Sequence, residues 1–278
     1  MKNRLPPWFR QEIPGPQAKE LLRLFAESGV HTVCLHAHCP NISDCFKNKR
    51  ATFMILGSAC TRNCGFCAVA KAGQKKLTVD EGEPDRVAGV VKRLGLAYAV
   101  ITSVSRDDLV DKGAGLFAKT IEAVRRVNNS IKIEVLIPDF QGDAASLKQV
   151  LDAAPNVLAH NIETVPRLYR NLRPQADYQR SLGILKASKK IRLEIPTKSS
   201  IMLGLGEARD EVVGLMRRLR RVNCDYLALG QYLAPSEDHY PVKRFLGLAE
   251  FREYRRIGLG LGFKAVLSGP KVRSSYQA

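Results

Sequence analysis

Three cysteines, Cys60, Cys64 and Cys67, follow an apolar run, Thr52-Phe53-Met54-Ile55-Leu56, in the spacing C-x3-C-x2-C. Thiolates this close together suit soft metals and iron–sulfur clusters. Spread over eight residues, they can converge on one face of a cluster. A cubane [4Fe-4S] cluster usually takes four protein ligands, so three would leave one iron open to a small molecule. A structural zinc knuckle is the alternative. Zinc sites favour paired C-x2-C units with a matching pair further on, and none follows here. A second triplet lies just upstream, Cys34, Cys39 and Cys45, spaced C-x4-C-x5-C. The seventh cysteine, Cys224, stands alone beside apolar residues and reads as core.

The elements that must hold these thiols alternate between strand and helix patterns. After the strand at residues 52–56, a helix is expected at 83–94 and a strand at 97–103. Helix 115–127 then leads to strand 131–137, helix 144–153 to strand 157–162, and helix 178–189 to a strand within 192–205. Helix 207–221 precedes strand 226–232, and helix 249–259 precedes a short strand at 264–267. Six βα units in succession imply a parallel sheet with helical crossovers. The expected fold is α/β, a partial (βα)6 TIM-type barrel. Its chemistry belongs at the C-terminal ends of the strands. Residues 1–50 read as an N-terminal extension with the upstream cysteines, 51–268 as the barrel, and 269–278 as a C-terminal tail. A helix is expected at 16–28, closed by Gly29.

C-x3-C-x-F-C after a first strand resembles the signature of the radical S-adenosylmethionine (SAM) enzymes. Both triplets together, with CPNISDC, ATFMILG, TSVSRDDL, IEVLIPDFQG, VLAHNIETVPRLYR, MLGLGE, GQYLAPS and the terminal RSSY in order, resemble the lipoyl synthase family from about Leu5 to the end. The resemblance implies two [4Fe-4S] clusters and SAM as cosubstrate. The cluster on Cys60, Cys64 and Cys67 would make a radical from SAM. An auxiliary cluster on Cys34, Cys39 and Cys45 would donate its sulfur to carbons 6 and 8 of a protein-bound octanoyl-lysine. In the family a serine of the RSSY tail is the fourth auxiliary ligand. The motif assigns Ser275 here, with Ser274 as the near alternative; without it the tail would be expected to fray. A structural or electron-relay auxiliary cluster is the competing reading. The chain departs from the family at Asp44-Cys45-Phe46, at Ser105 and at Lys112-Gly113.

By the same resemblance, SAM would be held at Phe66, at Thr102 and Ser103 ending strand two, at Asn161 and Glu163 ending strand four, and by Arg173. Met202, Gly204 and Glu207 lie along strand five and its exit. Hydroxyl, amide and carboxylate groups suit an amino acid and a ribose; strand-end Ser and Asn equally cap helices. Arg106-Asp107-Asp108 is expected to order its loop. Lys198 is placed at the mouth end of strand five. His36 and His38 are expected in solvated loop, and His160 as structural.

The chain has 278 residues, 45% hydrophobic, with a formal net charge of +17. No apolar run approaches the roughly 18 residues of a membrane span, and the N-terminus lacks a secretory h-region. Cytoplasm is expected, with reduced thiols. No aromatic interleaving marks a nucleic-acid platform. Arg217, Arg218, Arg220 and Arg221 read as the wet face of a helix. The family's partners are octanoylated lipoyl carrier domains or H protein, which tend to be acidic, and an electron donor such as ferredoxin or flavodoxin. Positive charge would steer docking.

Overall fold

The computed structural model describes residues 6–9, 16–36, 41 and 52–275. Mostly buried strands, apolar but broken by Ser, Thr, Lys, Glu and Tyr, build the sheet. Seven parallel strands lie side by side in chain order: β1 (Thr52–Ile55), β2 (Tyr98–Ser103), β3 (Lys132–Leu136), β4 (Val157–Ala159), β5 (Thr197–Leu203), β6 (Tyr226–Gln231) and β7 (Ala265–Gly269). After α1 (Pro16–Glu27), helices α2 (Glu83–Leu94), α3 (Ala114–Val127), α4 (Ala144–Asp152), α5 (Tyr178–Ile191), α6 (Arg209–Arg221) and α7 (Leu248–Gly260) make the six crossovers. The order starts at β1 and ends at β7, so these are the two edges and the barrel is open. The short strand expected at 264–267 joins the sheet fully, through five pairs from Tyr226↔Ala265 to Gly230↔Gly269.

Local chemistry sets the boundaries. In α2, Pro84 stands in the first turn beside Glu83 and Asp85, and Lys92 and Arg93 lie in the last; each suits its end of the helix dipole. Gly95 closes the helix at φ 59°, the left-handed position that glycine takes without steric cost. Two expectations fail at element ends. The strand at 157–162 stops at Ala159 because the amide of Ile162 donates to the Ser199 hydroxyl (3.1 Å) instead of a strand carbonyl. Pairing resumes at Glu163↔Ile201 with Glu163 at φ 67°, so residues 160–163 form a bulge that re-aims their side chains. The helix at 207–221 begins at Arg209, because Glu207 caps the turn before it. Its carboxylate accepts from the amides of Gly204 (2.6 Å) and Leu205 (2.9 Å).

The described part of the extension packs on β1. Phe25 meets Phe53 edge-on with ring centroids 6.4 Å apart, Thr32 bridges Phe53, and Met54 donates to the His31 carbonyl at 2.9 Å. This covers an edge strand that would otherwise template aggregation. Phe9 packs against Phe245, in the segment that crosses the ends of β5 and β6, and Asn41 donates to the carbonyl of Lys271, just past the opposite edge strand. The extension therefore touches both edges of the open barrel.

Candidate active site

The three cysteines lie on one loop between β1 and α2. The chain leaves β1 through Leu56 (φ 68°) and Gly57 (φ 83°). The buried carboxylate of Glu83 accepts from the Leu56 amide at 2.7 Å and so holds this turn. Residues Ala59–Cys60 then pair with Ala70–Lys71, closing the loop on itself.

Neighbouring strand ends pin the loop over the mouth. Thr61 donates from its amide (3.0 Å) and its hydroxyl (2.9 Å) to the Ser105 carbonyl beyond β2. Gly65 donates to Leu172 at 2.9 Å, and Tyr240 to Gly65 at 2.8 Å. Gln175 brackets the loop by accepting from the Asn63 amide and donating to the Thr61 carbonyl. The Arg62 guanidinium is buried and doubly paired, to Asp107 (2.6 and 2.8 Å) and to Asp139 (2.5 Å). Burial opposes the Asp139 charge, but Arg62 outweighs it and holds the carboxyl below its ordinary range. Next to it Arg106 forks onto Asp108 and reaches the carbonyls of Leu77 and Thr78. The Arg-Asp-Asp unit thus orders its loop, as its sequence suggests.

The thiols face one another closely enough to couple electrostatically. Burial pushes Cys64 and Cys67 up; Arg173 pulls Cys64 down and Lys71 pulls Cys67 down. Cys60 Sγ accepts from the amides of Ser105 (3.3 Å) and Arg62 (3.4 Å). Among the described residues no three Cys, His or carboxylate groups close on a single metal ion; a cubane holds its thiolates further apart than one ion does. Three half-buried thiols with amide donors and a nearby guanidinium fit a cluster.

Around them lies a ring of unsatisfied polar atoms. Ser103 Oγ, His160 Nε2, Asn161 Oδ1, Thr164 Oγ1 and Arg173 Nε are all buried without a hydrogen-bond partner. Seven further buried polar atoms among the described residues are also unpartnered, so it is the gathering of these five that fits a ligand. Ser103 is the register partner of Ile55, next to the cysteine loop. Asn161, Glu163 and Arg173 come together: Asn161 donates to Glu163 at 3.0 Å, and Arg173 donates to the Asn161 carbonyl at 3.2 Å and the Tyr169 hydroxyl at 2.8 Å. Burial pushes the Glu163 carboxyl up, with Arg173 opposing. The Thr102 hydroxyl instead donates to the Leu136 carbonyl at 2.8 Å. Phe66 packs half-buried against the β5–β7 core. A molecule carrying amino, carboxylate and hydroxyl groups fits this ring.

Some expected residues lie elsewhere. Lys198 is the second residue of β5, at the closed end of the barrel, not the mouth. Its Nζ sits 3.0 Å from both oxygens of Glu134, which also accepts from Tyr98 at 2.8 Å. His36 is not solvated: its ring is half-buried, bonded to the Thr32 carbonyl (2.9 Å) and edge-on to His31. Glu207 caps its turn. Cys224 is fully buried, its thiol pushed up to about 12 by desolvation. Ser275 is half-buried at the end of the described tail, and Cys34 is buried on the helical turn Val33–His36. Cys39, Cys45 and His38 lie outside the described residues. Sequence reasoning missed Arg62, Asp139 and His239, whose Nε2 lies 3.3 Å from the Cys67 carbonyl.

The solved structures share the fold. A methylornithine synthase matches 95% of this chain and 83% of its own at TM-score 0.57 and 16% identity. A maturase of the [FeFe]-hydrogenase matches 77% and 50% at TM-score 0.62 and 14% identity. The radical SAM superfamily model matches residues 54–219, cysteine loop included, and defines the class as radical SAM. A lipoyl synthase of Caldicellulosiruptor saccharolyticus is 50% identical over 279 aligned residues, covering 100% of this chain and 97% of the relative. That of Rubrobacter xylanophilus is 50% identical over 98% of this chain and 85% of its own. The chain belongs to the lipoyl synthase family. It is a radical SAM enzyme that inserts sulfur, with SAM and [4Fe-4S] clusters as its cofactors.

Proposed function

We propose that this chain converts octanoyl-lysine on a carrier protein to lipoyl-lysine, inserting sulfur at carbons 6 and 8. One observation carries the reading: a loop with three coupled thiols is pinned over a barrel mouth ringed by unsatisfied polar atoms. When bound on Cys60, Cys64 and Cys67, the cluster supplies the electron that splits SAM into methionine and a 5′-deoxyadenosyl radical, the agent that inert C–H bonds require. The chain's own residues bind and orient. Arg173 offers the cation for a carboxylate. Ser103, Asn161 and Glu163 offer partners for an ammonium and ribose hydroxyls, and Phe66 an apolar face for adenine. Thr102 contributes as strand backbone, since its hydroxyl is already bonded.

In this reading Cys34, Cys39, Cys45 and Ser275 hold the auxiliary cluster, a substrate that gives up its sulfur. The contact between Asn41 and the tail supports the pairing of residues 1–50 with 269–278 around the barrel at 51–268. Acidic octanoylated carrier domains or H protein would dock at the mouth, with ferredoxin or flavodoxin as electron donor, in the cytoplasm. Among the described residues no helix is long and apolar enough to cross a membrane. The test is an anaerobic assay with octanoyl-lysine peptide, SAM and reductant, read by mass. The expected product gains two sulfurs and loses two hydrogens. Deoxyadenosine formed beside intact octanoyl peptide would refute the reaction. Cys60→Ala is expected to abolish deoxyadenosine.

A further inference from the structure

The tail leaves β7 at Gly269 and turns at once, the Val272 amide donating to the Gly269 carbonyl at 3.1 Å. The turn folds back over the end of β6, where Gly230 is the ladder partner of Gly269. A methyl group on Gly230 would stand 1.9 Å from the Val272 carbonyl oxygen and 2.9 Å from its carbon. These are backbone atoms and cannot swing aside. The φ of Gly230 lies outside the left-handed range, so close approach alone demands glycine here. On the other side Asn41, 3% exposed and lying between Cys39 and Cys45, donates its amide to the Lys271 carbonyl. Its Oδ1 is buried without a partner.

We propose that Gly230 and Asn41 are positioning residues that seat the tail and so present Ser275 to the auxiliary cluster. The notch on β6 accepts the Val272 carbonyl, and Asn41 clamps the residue before it. The tail then keeps its place whether or not Ser275 is bonded to iron. This rests on the reading of Ser275 as ligand. Gly269 supplies the control: a methyl there would meet only Val272 Cγ2, at 3.5 Å, an ordinary contact.

The experiment uses the anaerobically reconstituted full chain. Amide exchange at Val272 reports the seat, and iron release to a chelator reports the clusters. Gly230→Ala is expected to speed Val272 exchange by about tenfold or more and one phase of iron release by about fivefold, with the remaining iron phase and the melting temperature unchanged. Gly269→Ala should match wild type. Asn41→Ala should move both readouts the same way and serves if Gly230→Ala folds poorly. Ser275→Ala should speed iron release while leaving Val272 exchange unchanged. Val272 exchange in Gly230→Ala equal to that in Gly269→Ala overturns the seat. Faster exchange with unchanged iron release overturns its service to the cluster. Unchanged iron release in Ser275→Ala as well would trace that failure to the ligand reading.

Discussion

His160 is buried beside the cysteine loop, with Nδ1 2.9 Å from the Ile137 carbonyl. A carbonyl only accepts, so Nδ1 carries the proton and Nε2 is a bare acceptor. Burial, helped by the charge of Arg173, pulls its pKa from 6.5 down to about 4. Between those values the unfolded imidazole is protonated and the native one is not. The unfolded state then holds more protons, so stability is lost as pH falls through this window. We expect about 1.4 kcal/mol less stability per pH unit over it. Thermal unfolding at pH 7 and pH 5 checks this: wild type should melt lower at pH 5, and His160→Asn should show a smaller drop. Equal drops would remove the assignment. At this scale the cysteines were legible because three thiols in C-x3-C-x2-C have few uses. Arg62 was not. A charged residue between cysteines reads as solvated until Asp107 and Asp139, from two other strand ends, are seen around it.

The cysteine loop works as an element through its anchors. Truncating Arg62 would leave Asp139 buried, with Arg180 3.7 Å away. Breaking a buried pair from one side costs about 3–5 kcal/mol. Arg62→Met is therefore expected to lower the melting temperature by roughly 10 °C and to cut iron on this loop. Adding Asp139→Asn should restore part of the loss; no recovery would mean the pair is not the anchor. Backbone strain gathers at the same end of the barrel. Leu56, Phe140, Gln141 and Glu163 all take positive φ at strand exits, each costing about 1–3 kcal/mol. The helix–strand alternation was legible from apolar runs bounded by Gly and Pro. The bulge after β4 and the placement of Lys198 were not, because each depends on a partner on another strand, Ser199 and Glu134.

Across the whole molecule the charge of +17 is unevenly useful. Arg217, Arg218 and Arg221 are exposed at the C-terminus of α6, which lies at the closed end of the barrel. Arg220 there stacks on Phe263 at 5.4 Å. Lys71, Lys75 and Lys76 are exposed just beyond the cysteine loop, at the mouth. If an acidic carrier docks at the mouth, Lys75→Glu with Lys76→Glu should lower kcat/KM for carrier by about tenfold at low salt and leave octanoyl peptide unaffected. Arg217→Glu with Arg221→Glu should change neither. Equal losses from both pairs would place docking elsewhere. Whether the protein's own clusters supply the inserted sulfur has a direct measurement. Protein reconstituted with heavy-isotope sulfide is given octanoyl-lysine peptide, SAM and reductant for one anaerobic turnover, and the product is weighed. Lipoyl product with both sulfur atoms heavy is expected; product carrying light sulfur would rule out the protein as sulfur donor.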